Sequence, residues 1–112
     1  AVDYASDGLR FASGGADRTV IIWNYKGEGI LKFTHNASIQ CVAYNPASEQ
    51  LASCTATDFG MWSKEQKSVT KHKISAKICA AAWNADGRYL ALGLYDGHVQ
   101  IREKTGKEHK TI

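Results

Sequence analysis

His35, Ser53 and Asp58 are the residue types of an acyl-transfer centre: a hydroxyl to attack, an imidazole to take its proton and a carboxylate to orient the ring. That chemistry also needs a serine displayed on a strained turn and donors aimed at a developing oxyanion. The sequence around Ser53, Leu51-Ala52-Ser53-Cys54-Thr55, carries neither a nucleophile elbow nor an oxyanion-hole pattern. The four histidines, His35, His72, His98 and His109, and the three cysteines, Cys41, Cys54 and Cys79, are dispersed without ligand spacing, so no metal site is expected. Gly14-Gly15 precedes no helix and suits a turn of positive φ, not a phosphate cradle. No cofactor and no catalytic residue is expected, and the chain is not read as an enzyme.

Composition narrows the class further. With 44% hydrophobic and 22% charged residues in 112, the chain reads as a soluble globular unit. A formal charge of +3, from 14 basic against 11 acidic residues, is too small an excess to point to nucleic acid or an anionic membrane. The cysteines form no CxxC pair and lie in apolar stretches, as free thiols in a reducing compartment do. Apolar runs such as Ile78 to Trp83 fall far short of the roughly 18 residues of a membrane span, and no targeting signal opens the sequence.

The elements that position these residues repeat. Phe11-Ala12-Ser13-Gly14 recurs as Leu51-Ala52-Ser53-Cys54 and as Leu90-Ala91-Leu92-Gly93, a period of 39 to 40 residues. Upstream of each lies an alternating strand ending on an aromatic residue, marked by Val2 and Tyr4, Val42 and Tyr44, then Ala81 and Trp83. Turn signals follow: Ser6-Asp7-Gly8, Asn45-Pro46-Ala47 and Ala85-Asp86-Gly87. Third strands are predicted at Thr19 to Trp23, Phe59 to Trp62 and His98 to Arg102. Fourth strands are predicted around Gly29 to Phe33, Lys67 to Lys73 and Gly106 to Ile112. Four short strands per unit with no helical periodicity predict an all-β propeller. The expected arrangement is three consecutive four-stranded antiparallel blades of a larger ring, over residues 1–34, 35–73 and 74–112.

The Ser13 to Asp17 turn and the closing Trp23-Asn24 resemble the repeats of WD-repeat β-propellers over essentially the whole chain. FASGGADRTVIIW, the stretch from Glu28 to Pro46 and DFGMWSKEQKSVTKHK from Asp58 are similar to the N-terminal propellers of complex-A intraflagellar transport subunits. The resemblance implies a structural hydrogen-bond network of histidine, serine, aspartate and tryptophan in each blade. By position it assigns Ser13, Asp17 and Trp23 to the first blade, His35, Ser53 and Trp62 to the second and Asp96 to the third. The turn before Asp58 is one residue short, which takes Asp58 out of register. The third blade has Leu92 and Arg102 in place of serine and tryptophan, and His72 comes two residues early, so no blade is expected to hold a complete network.

The resemblance further implies a scaffold for retrograde ciliary transport and membrane-cargo trafficking in cytoplasm, axoneme and basal body. Its partners would be other complex-A subunits and cargo adaptors, with no small-molecule substrate, no nucleic acid and no membrane insertion, but with room for a membrane-proximal contact. A vesicle-coat or other WD-repeat adaptor propeller and a peptide-reading propeller are the alternatives; the last wants charged or aromatic residues where Ala43, Ala80 and Ala82 stand. Candidate partner-surface residues are Arg18, Asn36, Lys71 and Lys73. The run Lys64, Lys67, Lys71, Lys73 and Lys77 is read first as protection of an exposed strand edge. Three blades leave two apolar flanks open, so the segment alone is expected to be poorly soluble or partly folded.

Overall fold

A computed structural model describes residues 1–63, 70–74 and 76–112. The first sheet contains β1 (Val2–Tyr4), β2 (Arg10–Gly14), β3 (Thr19–Asn24) and β4 (Gly29–Thr34). The second contains β5 (Cys41–Tyr44), β6 (Leu51–Cys54), β7 (Asp58–Trp62) and β8 (Thr70–Lys73), and the third β9 (Ile78–Trp83), β10 (Tyr89–Leu94), β11 (Val99–Glu103) and β12 (Glu108–Thr111). Each sheet is an antiparallel meander in sequence order. Among the described residues there is no helix, and none long and apolar enough to cross a membrane. These are the blades of a WD-repeat β-propeller.

The strands form where β-branched and aromatic residues alternate, and the alternation decides which sheet covers which. Ala12, Val20 and Ile22 of the first blade are fully buried against Val42, Tyr44, Leu51 and Trp62 of the second. The opposite face of the second blade, Ala52, Cys54, Phe59 and Met61, packs on Ile78, Leu90, Leu92 and Leu94 of the third. The middle blade is therefore buried on both faces and each end blade on one. On the free face of the first blade, Ile21, Trp23, Gly29, Ile30, Leu31 and Lys32 line an apolar depression of about 350 Å³. On the free face of the third, Ala80, Ala81, Ala82, Ala91, Gly93 and Val99 line one of about 240 Å³.

Polar latches cross both seams. Asp3 Oδ2 accepts from the Tyr44 N–H at 2.7 Å, and Arg10 is ion-paired with Glu49. Between the second and third blades, Trp83 Nε1 donates to Ala43 O at 2.9 Å and Asn45 Nδ2 donates to Gly87 O at 2.8 Å. Gly87 holds a φ of +73°, and a Cβ there would run into the Asn45 side chain, so the turn and the latch both require glycine.

Strand ends differ slightly from the sequence expectation. β11 starts at Val99 because the His98 N–H is taken by Asp96 Oδ1 at 3.0 Å. β12 starts at Glu108 because Gly106 closes a turn onto Glu103 O at 2.8 Å. The start of the predicted fourth strand of the middle blade, with Lys64 and Lys67, lies outside the described residues.

Candidate functional site

The His35 corner is built by the joint between the first two blades. The His35 N–H donates to Arg18 O at 2.9 Å, which hangs the residue following β4 on the turn between β2 and β3. Its ring passes into the seam, where His35 is 4% exposed and Ser53, on β6, is 0% exposed. His35 Nε2 and Ser53 Oγ are hydrogen-bonded at 2.7 Å. His35 Nδ1 faces Asp58 Oδ1 at 3.3 Å, off the line of a hydrogen bond.

The short turn does not take Asp58 away from His35. Backbone pairing sets Asp58 level with Thr19 of the first blade, since Phe59 pairs with Cys54 as Val20 pairs with Gly14. Asp58 thus opens β7 rather than capping the turn. Thr55 does the capping: its hydroxyl donates to Asp58 Oδ1 at 2.6 Å and accepts from the Thr57 and Asp58 N–H groups, each at 3.2 Å. The fixed carboxylate points at His35 from the level of Thr19, two positions past that of Asp17 in the first blade. Thr55 was not legible beforehand; its signal was a threonine at the start of the shortened turn.

This constellation has the order of a catalytic triad but not its surroundings. Burial lowers the pKa of His35 below 6.5; the Asp58 charge opposes the shift and Lys71 adds to it. The imidazole is held neutral, and Ser53 is sealed from any substrate. What the arrangement does chemically is pair His35 Nε2 with the Ser53 hydroxyl inside the seam and set the Asp58 charge beside His35 Nδ1.

The other blades hold different versions. In the first, Trp23 Nε1 donates to Ser13 Oγ at 2.9 Å on the open flank, with Ser13 and Trp23 only half-buried. Asp17 lies in the exposed turn and accepts from the Thr19 N–H at 3.1 Å. Trp62 is buried in the seam that holds His35 and Ser53. In the third blade Asp96 repeats the Asp17 turn, and the His98 N–H holds its carboxyl below the usual range. Arg18 (φ 67°) and Gly97 (φ +91°) follow those two aspartates in the same left-handed conformation. Ile74 takes the place of His35: its N–H donates to Thr57 O at 2.9 Å as that of His35 does to Arg18 O. Ile74 and Leu92 share one apolar core where His35 and Ser53 make a hydrogen bond. Arg102, at the tryptophan position, lies 5.2 Å over the Phe59 ring and donates to Gly106 O and Gln100 Oε1.

The candidate surface residues gather around the same corner. Arg18 supplies the carbonyl that holds His35, and Asn36 follows His35 in the chain, exposed. Lys71 Nζ donates to Thr34 O at 2.8 Å, and Lys73 pairs across the sheet with Asp58. All four are exposed. Asp96 is exposed in the corresponding β10–β11 turn of the third blade.

Comparison with known proteins fixes the family. The model of the first β-propeller of intraflagellar transport protein 122 matches residues 1–112. Intraflagellar transport protein 122 homologues of Xenopus tropicalis and Danio rerio are each 64% identical over 99% of this chain and 9% of their own length. The rice small ribosomal subunit protein RACK1y is 28% identical over 95% of the chain and 34% of its own length. The chain spans about a tenth of the length of the intraflagellar transport relatives it matches. Its repeated sheets, their seams and this whole-length match place the chain in the family of first β-propellers of intraflagellar transport protein 122.

Proposed function

We propose that the chain forms part of the first propeller of a complex-A intraflagellar transport subunit and acts there as a non-catalytic scaffold. The observation that carries this is the family match over residues 1–112, joined to 64% identity with proteins named for intraflagellar transport. The sealed Ser53 and the neutral His35 favour scaffold over enzyme. In this reading residues 1–34, 35–73 and 74–112 are three successive blades. Ser13, Asp17, Trp23, His35, Ser53, Trp62 and Asp96 hold them in shape. The work served is retrograde ciliary transport and ciliary membrane-cargo trafficking, in cytoplasm, axoneme and basal body. Partners are other complex-A subunits and cargo adaptors, and Arg18, Asn36, Lys71 and Lys73 form the rim offered to them.

The test uses the full-length subunit in ciliated cells that lack their own copy. Tagged protein should concentrate in cilia and co-purify with complex-A subunits. Arg18→Glu, Lys71→Glu and Lys73→Glu together should weaken that co-purification or the entry of membrane cargo, because an exposed rim contributes through charge complementarity. Localisation to vesicle coats would overturn the function. Normal assembly and cargo entry with all three charges reversed would remove the rim from it.

A further inference from the structure

Cys41 on β5 and Cys54 on β6 are directly opposite in the register of the middle blade, so their side chains leave the sheet on the same face. That face is the seam with the third blade. Cys54 is fully buried in its core, whereas Cys41 packs on the same core from the rim and is half-buried. Directly opposed residues have Cβ atoms roughly 4.5–5.5 Å apart, and a disulfide forms at about 3.5–4.5 Å, so bridging asks for rotation of two side chains and a small approach of neighbouring strands.

The two thiols are unequal. Hydrogen bonding to Cys54 draws Cys41 below the ordinary thiol range, against the effect of its partial burial, while the same contact and deep burial push Cys54 well above it. Cys41, at the rim, is the thiol that a small oxidant can reach, and Cys54 is a hidden second thiol directly across the strand pair. Cys79 lacks such a partner. It is exposed, donates to Gly93 O at 3.3 Å, and falls where the β9–β10 register skips from Ala80–Gly93 to Ile78–Leu94.

We propose that Cys41 and Cys54 form a redox-modification site that a hydroperoxide closes to an intramolecular disulfide. The Cys41 thiolate attacks one oxygen of hydrogen peroxide, the O–O bond breaks, and hydroxide leaves and is protonated to water, giving a sulfenic acid. Cys54 then loses its proton and attacks the Cys41 sulfur, the S–O bond breaks and a second water departs. Two thiols are oxidised by two electrons and one peroxide is reduced. The Gln40 N–H donates to Cys54 O at 2.7 Å, so the bridge would pin the end of β5 to which the His35 loop leads.

The test is peptide mapping of the full-length protein, prepared reduced and then exposed to hydrogen peroxide. Trypsin releases both cysteines in one peptide, Phe33 to Lys64, and Cys79 in another, Ile78 to Arg88. The expected result is a Phe33–Lys64 peptide two hydrogens lighter, with both alkylation sites lost together, at a peroxide dose that leaves Cys79 alkylatable. Cys54→Ser should stop the reaction at a sulfenic acid on Cys41, trapped by dimedone. The proposal is overturned if both thiols of the unsubstituted protein stay alkylatable at a dose that oxidises Cys79. Oxidation of Cys41 without loss of Cys54 overturns it equally, and neither reading depends on the variant folding.

Discussion

The middle blade and its two neighbours are written in nearly the same residues yet live in different environments. β6 is buried at every position, whereas β10 alternates between buried and half-buried, and β2 has one fully buried position, Ala12. A repeat therefore does not have a fixed energetic meaning; what faces it supplies the meaning. The Ser13–Trp23 bond is half in water, while the His35–Ser53 bond is sealed by the blade before it.

The largest expected effect comes from truncating the same kind of residue on a covered and an open face. Phe59→Ala should cost about 3–5 kcal/mol, because the ring is fully buried between two sheets. Ile21→Ala, on the open flank of the 112-residue chain, should cost about 1 kcal/mol or less in a denaturant titration. Equal losses would end the contrast between covered and open faces. In the longer protein the same pair sharpens it, since a large loss at Ile21 would mean that another sheet covers this flank.

A smaller effect separates the two serines. Ser53→Ala strands a buried imidazole nitrogen and should cost about 1–3 kcal/mol, whereas Ser13→Ala leaves a half-exposed indole that water can serve, and about 0.5 kcal/mol is expected. Hydrogen exchange at β6 and β2 would report each loss locally. A Ser13 effect as large as that of Ser53 would show that exposure does not govern these bonds.

The smallest effect concerns pH. His35 and His72 both have folded pKa values below 6.5, each through burial first, with Arg102 assisting at His72. The unfolded chain then takes up protons before the folded one. Stability should be flat above about pH 6.5, fall as the pH drops below it, and level off only at the depressed folded values. Melting temperatures between about pH 7 and pH 5 should show a shallower fall in His35→Gln than in the unsubstituted chain.

The strands and their grouping into four-stranded antiparallel blades were legible because hydrophobic alternation and turn chemistry act locally. Asp58 was not. Spacing alone set it out of register, and the approach to His35 depends on how Thr55 rebuilds a shorter turn. The early placement of His72 was legible, but its counterpart Ile74 emerges only from a backbone bond between distant segments. Arg102 over Phe59 was equally hidden, since a cation resting on a ring in the next blade leaves no periodic trace.

The replacement of His35 and Ser53 by Ile74 and Leu92 leaves one seam with an imidazole–hydroxyl pair where the other has hydrocarbon. Both seams keep an apolar core, held by water's avoidance of hydrocarbon, which fades as the temperature falls. Acid reaches each seam through its own ring, His35 inside the first and His72, stacked on Phe59, beside the second. Chilling should therefore slacken both hinges together, while the two imidazoles set how far each one yields to acid.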